Sequence, residues 1–155
     1  MLDYKQLKTL VVIPALHDLV LLSDAAVELI LFTCAAESKG GTYIHQSKGH
    51  ALGIYNMLPV IYNDIWQNYI RIQQSIRLQL LYNFLAPVMP SEERLIYDLR
   101  FATAMARIHY ARAKEPLPDA KDVDAIYDYY KTFYNSRLDT SDKSKLIADY
   151  FKFKN

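Results

Sequence analysis

Glycine is scarce: there are four in 155 residues, with Gly40, Gly41 and Gly49 inside ten positions and Gly53 close behind. Backbone freedom is concentrated in that one stretch. The same scarcity excludes Gly/Ser linkers, and no internal repeat or low-complexity segment interrupts the chain. Cysteine is scarcer still. Cys34 stands alone in an apolar context, which excludes a disulfide framework and any dependence of the fold on an oxidising compartment. Neither sign of charge dominates: 18 Lys plus Arg against 17 Asp plus Glu leave a net charge of +1. A nucleic-acid partner is therefore not expected, because phosphate binding leaves a basic footprint. No apolar run is long enough to insert in a membrane, since Asp24 and Glu28 interrupt the longest one. The opening MLDYKQLKTL has no basic region followed by a continuous apolar one, so it does not read as a signal peptide. His17, His45, His50 and His109 lack metal-ligand spacing, so no metal and no cofactor is expected, and Cys34 has no partner that would make it a nucleophile.

What is present reads as helix, in a single domain spanning residues 1–155. A weak first helix covers residues 3–10, and Pro14 allows a restart through 19. Ser23 is a candidate N-cap, with Asp24 favouring the positive helix end. From 25 to 38 the chain is apolar on nearly every face, as in a buried helix, until Gly40 and Gly41 stop it. Residues 41–58 form a loop, with at most a short hairpin in 41–55. Pro59 opens a helix through about 70, and another follows over 75–84. Ser91 with Glu92 and Glu93 starts a six-turn helix over 91–113. Its centre of Ala102, Ala104, Met105 and Ala106 is small enough to serve as a central helix. Further helices are predicted at 121–135 and 141–152. The fold class is all-α.

Glu37 breaks the local pattern. It closes the apolar helix near the negative end of the helix dipole, where a carboxylate is disfavoured by about 0.3–1 kcal/mol. Burial against Leu31, Phe32 or Tyr55 would disfavour the charge further, so a raised pKa is expected; Lys39 works the other way. A carboxylic acid that keeps its proton near neutral pH is what a general acid needs. The residues alone also allow a solvated last-turn glutamate, held by Lys39 or by a backbone N–H.

The wider pattern around it is Glu37-Ser38, a Gly-containing loop, and then Ala51-Leu52-Gly53-Ile54-Tyr55-Asn56-Met57-x-Pro59. Tyr134-Asn135 follows near the end of a later helix. Together these resemble the signature of lytic transglycosylases of the lysozyme-like superfamily, over about residues 23–136, and most closely its small phage-encoded members. Asn56 stands where that family usually has Gln, His50 where a small residue often precedes Ala, and Ser136-Arg137 where Ala-Gly often follows Tyr-Asn.

The resemblance implies a lysozyme-like helical domain with a substrate groove. Its substrate is peptidoglycan, cut between N-acetylmuramic acid and N-acetylglucosamine. Glu37 acts as acid and then as base while the sugar's own 6-hydroxyl closes a 1,6-anhydro ring. Ser38 orients Glu37 or touches substrate, and the backbone of Gly53, Ile54, Tyr55 and Asn56 lines the groove. Tyr134 bonds Glu37 or the sugar, and Asn135 holds the loop. It further implies delivery from a phage virion or host cytoplasm to the cell wall, with virion proteins as further partners. A lysozyme-type hydrolase and a non-catalytic glycan-binding virion protein stay open beside it. Residues 38–63 contain no Asp or Glu, which suits a single-acid mechanism; Asp64 and Asp98 are the nearest candidates for a second carboxylate. Tyr127, Tyr129, Tyr130 and Tyr134 are either sugar-stacking faces or half core. Met57 and the Tyr134-Asn135 pair are alternatively plain packing and capping. Arg100 and Arg107 read as buried ion-pair partners.

Overall fold

The protein is described by a computed structural model covering residues 1–135 and 142–155. The architecture is all-α, with no strand among the described residues. In chain order the elements are α1 (Tyr4–Gln6), a π-helical segment (Leu7–Val12), α2 (Ile13–Asp18), α3 (Asp24–Ser38), α4 (Pro59–Asn68), a 3₁₀ turn (Ile70–Ile72), α5 (Gln74–Phe84), α6 (Arg94–Tyr97), α7 (Leu99–Ala111), α8 (Val123–Phe133) and α9 (Lys143–Lys154).

α3 is the axis of the molecule. Ser23 caps it, its Oγ accepting from the Ala26 N–H at 3.1 Å. Leu29, Ile30, Leu31 and Phe32 are consecutive and all fully buried, so the helix is enclosed all round rather than along one stripe. Its neighbours are α7, α8, α9 and the π-helical segment. α7 carries the small residues Ala102, Ala104 and Ala106, each buried, which lets it lie between α2, α3 and α4. One core surrounds α3. A second fills the space between α4, α5 and α7 around Tyr62, Trp66 and Phe101.

Three predicted boundaries differ. Pro14 does not interrupt the first helix. The chain is helical from Tyr4 to Asp18 because the turns ahead of Pro14 widen into π geometry, with the Ile13 N–H reaching Lys8 O, so the ring is accommodated without a break. The six-turn helix over 91–113 is two helices. Asp98 adopts an extended conformation and caps α7, its Oδ1 accepting from the Phe101 N–H at 2.9 Å. Its other oxygen takes Arg94 Nε at 3.0 Å. Ser91 makes only a turn, and helix begins at Arg94. In the 41–55 region no hairpin forms; the isolated bridges His45–Leu52 and Leu52–Met57 are all the pairing there. The predicted last helix starts at residue 141, outside the described residues; α9 begins at Lys143, capped by Asp142.

The arginines of α7 also part company. Arg100 pairs with Asp18 at the surface. Arg107, which is buried, donates instead to the Leu21 carbonyl at 3.3 Å.

Gly53 fixes the loop against the α6 region. Its φ is +77°, and a Cβ there would sit 2.2 Å from the Leu95 carbonyl oxygen. Backbone on both sides leaves neither party room to move. Gly53→Ala is expected to cost about 1–3 kcal/mol, read as a lower midpoint in denaturant unfolding. An unchanged midpoint would contradict this packing.

Candidate functional site

The site is built where α3 ends. Glu37 lies half-buried in its last turn, with Ser38 sealed beneath. Lys39, not a glycine, is the first left-handed residue, at φ 51°, and Gly40 and Gly41 follow at 68° and 77°. Three left-handed residues in succession reverse the chain. Gly40 is required there, since a Cβ would lie 2.5 Å from the Phe153 ring.

The returning loop folds against Glu37 from the other side. Asn56, itself left-handed at φ 46°, donates its Nδ2 to the Glu37 carbonyl. A carbonyl only accepts, so this contact fixes which way the Asn56 amide points. Its Oδ1 is left buried with no partner among the described residues. An unpaired buried acceptor costs about 1–3 kcal/mol. Tyr55 anchors the loop from below, with its hydroxyl at 2.8 Å from that of Thr103.

Tyr130 on α8 and Asn135 just beyond it both reach the carboxylate. Tyr130 donates its hydroxyl to Glu37 Oε1 at 2.8 Å, and Asn135 donates its Nδ2 to the same oxygen at 3.2 Å. Asn135 Nδ2 also lies 3.1 Å from the Tyr130 hydroxyl. Tyr130 is itself held edge-on against Phe32, with ring centroids 5.5 Å apart. Tyr134 donates to the Tyr55 carbonyl at 2.7 Å, bolting the loop to α8. Burial, reinforced by the Glu37 charge, pushes the Tyr134 hydroxyl well above the usual tyrosine range, which keeps it a donor.

Glu37, Asn56, Met57, His109, Tyr134 and Asn135 line a cavity of about 130 Å³, with Leu58 and Ile61 as its apolar side. His109 was not anticipated. Its Nδ1 is 2.7 Å from Arg112 Nη2, and Arg112 Nη1 donates to Asp64 Oδ2 at 2.8 Å. Burial and then the Arg112 charge push the imidazole down to about 4, so it is neutral at pH 7. A larger cavity of about 440 Å³ lies toward the other end of α3, beside Glu28. The Glu28 carboxylate already accepts from Tyr4, Tyr150 and Lys8, so that space has no comparable unsatisfied group.

Of the sequence-predicted residues, Glu37, Asn56, Tyr134 and Asn135 meet at one cavity, and Met57 joins them while staying largely buried. Ser38, Gly53, Ile54 and Tyr55 do not line it. Ser38 is fully buried, donating to Cys34 O at 3.1 Å and accepting from the Gly41 N–H at 2.9 Å, so it braces the chain reversal rather than touching Glu37's outer face. Ile54 and Tyr55 belong to the core. Tyr134 and Asn135 exchange the expected roles: Asn135 reaches Glu37 and Tyr134 holds the loop. The tyrosine that reaches the acid is Tyr130, legible only through its position one turn before Tyr134 on α8. Tyr127 and Tyr129 are buried and offer no stacking face. Ser136 and Arg137 lie outside the described residues.

Neither candidate second carboxylate lines the cavity. Asp98 is the α7 cap, and Asp64 is held in its charged form by Asn68 and Arg112, below the usual carboxylate range. The Cys34 thiol is pushed up to about 12 by burial and is no nucleophile. Among the described residues no group of three or more His, Cys, Asp or Glu could hold a metal ion. No protein-family model, curated protein or solved structure matches this chain.

Proposed function

We propose that the protein is a lytic transglycosylase of lysozyme-like fold, cutting peptidoglycan between N-acetylmuramic acid and N-acetylglucosamine, with Glu37 as the acid and base. The observation that carries this reading is a single carboxylate, gripped on one oxygen by Tyr130 and Asn135, at a cavity that no other described carboxylate lines. A retaining glycosidase needs a second carboxylate about 5–5.5 Å away, and an inverting one about 6.5–9.5 Å away. A transglycosylase needs none. Glu37 gives its proton to the glycosidic oxygen as the bond to the muramic acid anomeric carbon breaks. The resulting carboxylate takes the proton of that sugar's 6-hydroxyl as its oxygen bonds the same carbon. The acid is regenerated, and water is not consumed.

Mass spectrometry of the products released from purified peptidoglycan tests this. Chains ending in 1,6-anhydromuramic acid, one water lighter than hydrolysis products, are expected. Reducing ends would mean a lysozyme-type hydrolase, and no release by folded protein would mean a glycan-binding or virion structural role. Tyr130→Phe keeps the ring against Phe32 and removes the donor to Oε1. Release of anhydro product is expected to slow about tenfold, the scale of one hydrogen bond to a charged group, with little change in thermal midpoint. Unaltered release would take Tyr130 out of the mechanism.

A further inference from the structure

His109 has no part in the acid–base scheme above, yet it lines the same cavity as Glu37. Arg112 can only donate, so the His109 Nδ1 it approaches at 2.7 Å must be the unprotonated, accepting nitrogen. Asp64 holds Arg112 in place from α4. The single proton of the neutral ring then belongs to Nε2, which has no hydrogen-bond partner among the described residues. The ring is further set by packing on Tyr134, with centroids 4.8 Å apart. The charged and titratable groups around it are Arg112 on its own helix, Asp64 on α4, Glu37 across the cavity, and the tyrosines Tyr110 and Tyr134. Asn56 lines the same cavity. His109 therefore brings a fixed donor to a space of about 130 Å³. One water needs only about 10–15 Å³ on such a measure, so the room is for a substituent of several atoms.

We propose that His109 is a ligand-binding residue of this site, locked as the Nε2–H donor by Arg112 and giving that hydrogen bond to an acceptor on the ligand, a sugar hydroxyl or the carbonyl of an amide. The inference rests on the reading that a sugar occupies the Glu37 cavity. Arg112 and Asp64 are positioning residues that act through the imidazole.

The test uses two probes, tri-N-acetylchitotriose and its fully deacetylated counterpart, titrated calorimetrically into the full chain. In parallel, the His109 imidazole nitrogens are followed by NMR. The free protein should show the Nε2–H tautomer at neutral pH, and its signal should move on binding. His109→Phe keeps an aromatic ring and should weaken binding roughly 3–10-fold, the worth of one neutral hydrogen bond. His109→Gln retains an N–H donor and should recover most of that loss. Preference for the acetylated trimer identifies an amide as the substituent; equal binding identifies a hydroxyl. An Nδ1–H tautomer, a signal that stays put on saturation, wild-type affinity in His109→Phe, or failure of both trimers to bind would each overturn the proposal. Should His109→Phe fail to fold, the tautomer and shift in the unmodified protein still decide. Trimer binding through His109 without peptidoglycan cleavage would keep this inference and discard the transglycosylase. Cleavage at unchanged KM in His109→Phe would do the reverse.

Discussion

Glu37→Gln is expected to fold as the parent does and to lose about 10²–10⁴-fold in the release of anhydro products from peptidoglycan. The amide is isosteric, and its Oε1 still accepts from Tyr130 and Asn135, so the contacts that position the residue survive. The loop is anchored to the Glu37 backbone carbonyl through Asn56, which the substitution leaves untouched. What disappears is the proton the carboxyl delivers and takes back. Matching circular dichroism and thermal midpoints with collapsed turnover would fit this account. Turnover within a few-fold of the parent, with the fold intact, would sink the assignment of Glu37.

The largest effect on stability is expected at Glu28→Leu. Glu28 is buried in the second turn of α3 and accepts from Tyr4 at 2.9 Å, from Lys8 at 2.9 Å and from Tyr150, with Lys154 at 3.7 Å. Leucine matches the volume but strands two buried hydroxyls and leaves two ammonium groups without their counterion. Breaking a buried ionic cluster from one side costs roughly 3–5 kcal/mol, and for a chain of this size that lowers the melting temperature by roughly 6–20 °C. Glu28→Gln keeps one acceptor and should lose less. Cleavage per folded molecule should not change, since Glu28 is remote from the Glu37 cavity. A loss below about 1 kcal/mol in chemical denaturation would show that these hydroxyls find other partners.

The same cluster predicts a pH dependence. Burial alone would push the Glu28 carboxyl up, but the hydrogen bonds from Tyr150, Lys8 and Tyr4, with the Lys154 charge, outweigh it and hold the group below its ordinary 4.5. A depressed carboxylate contributes stability that is complete above the unfolded value and is lost as pH falls through the folded one. Acid unfolding should therefore be blunted in Glu28→Leu relative to the parent below about pH 4.5.

What the sequence disclosed, and what it hid, follows from the range of each interaction. The buried helix was legible because its signals are local: a serine cap, an unbroken apolar run and a glycine pair. Pro59 marked α4 for the same reason. The acid at the helix end was visible because it violates a local preference. The break at Asp98 was hidden, since Asp is tolerated within a helix and its capping of the Phe101 N–H and its bond to Arg94 are seen only in the folded chain. Likewise nothing in the spacing of the tyrosines says that Tyr130, rather than Tyr134, turns toward Glu37. That depends on Tyr55, 79 residues away along the chain, capturing the Tyr134 hydroxyl first. His109 was hidden because it has no metal-ligand spacing, and its contact with Arg112 and its place at the cavity exist only in the folded chain. Asn56 was noticed as a departure from a family pattern; its unpaired oxygen is visible only in three dimensions.

The contact between Glu28 and Tyr150 spans 122 residues. During synthesis, α3 leaves the ribosome long before the segment that satisfies its carboxylate, and Gly40 waits equally long for Phe153 to cover the turn beside Glu37. Until the last helix docks, Glu28 lacks its Tyr150 partner and the turn beside Glu37 lacks the Phe153 ring. Both the Glu28 cluster and the turn beside Glu37 are thus completed by α9, the last helix in chain order.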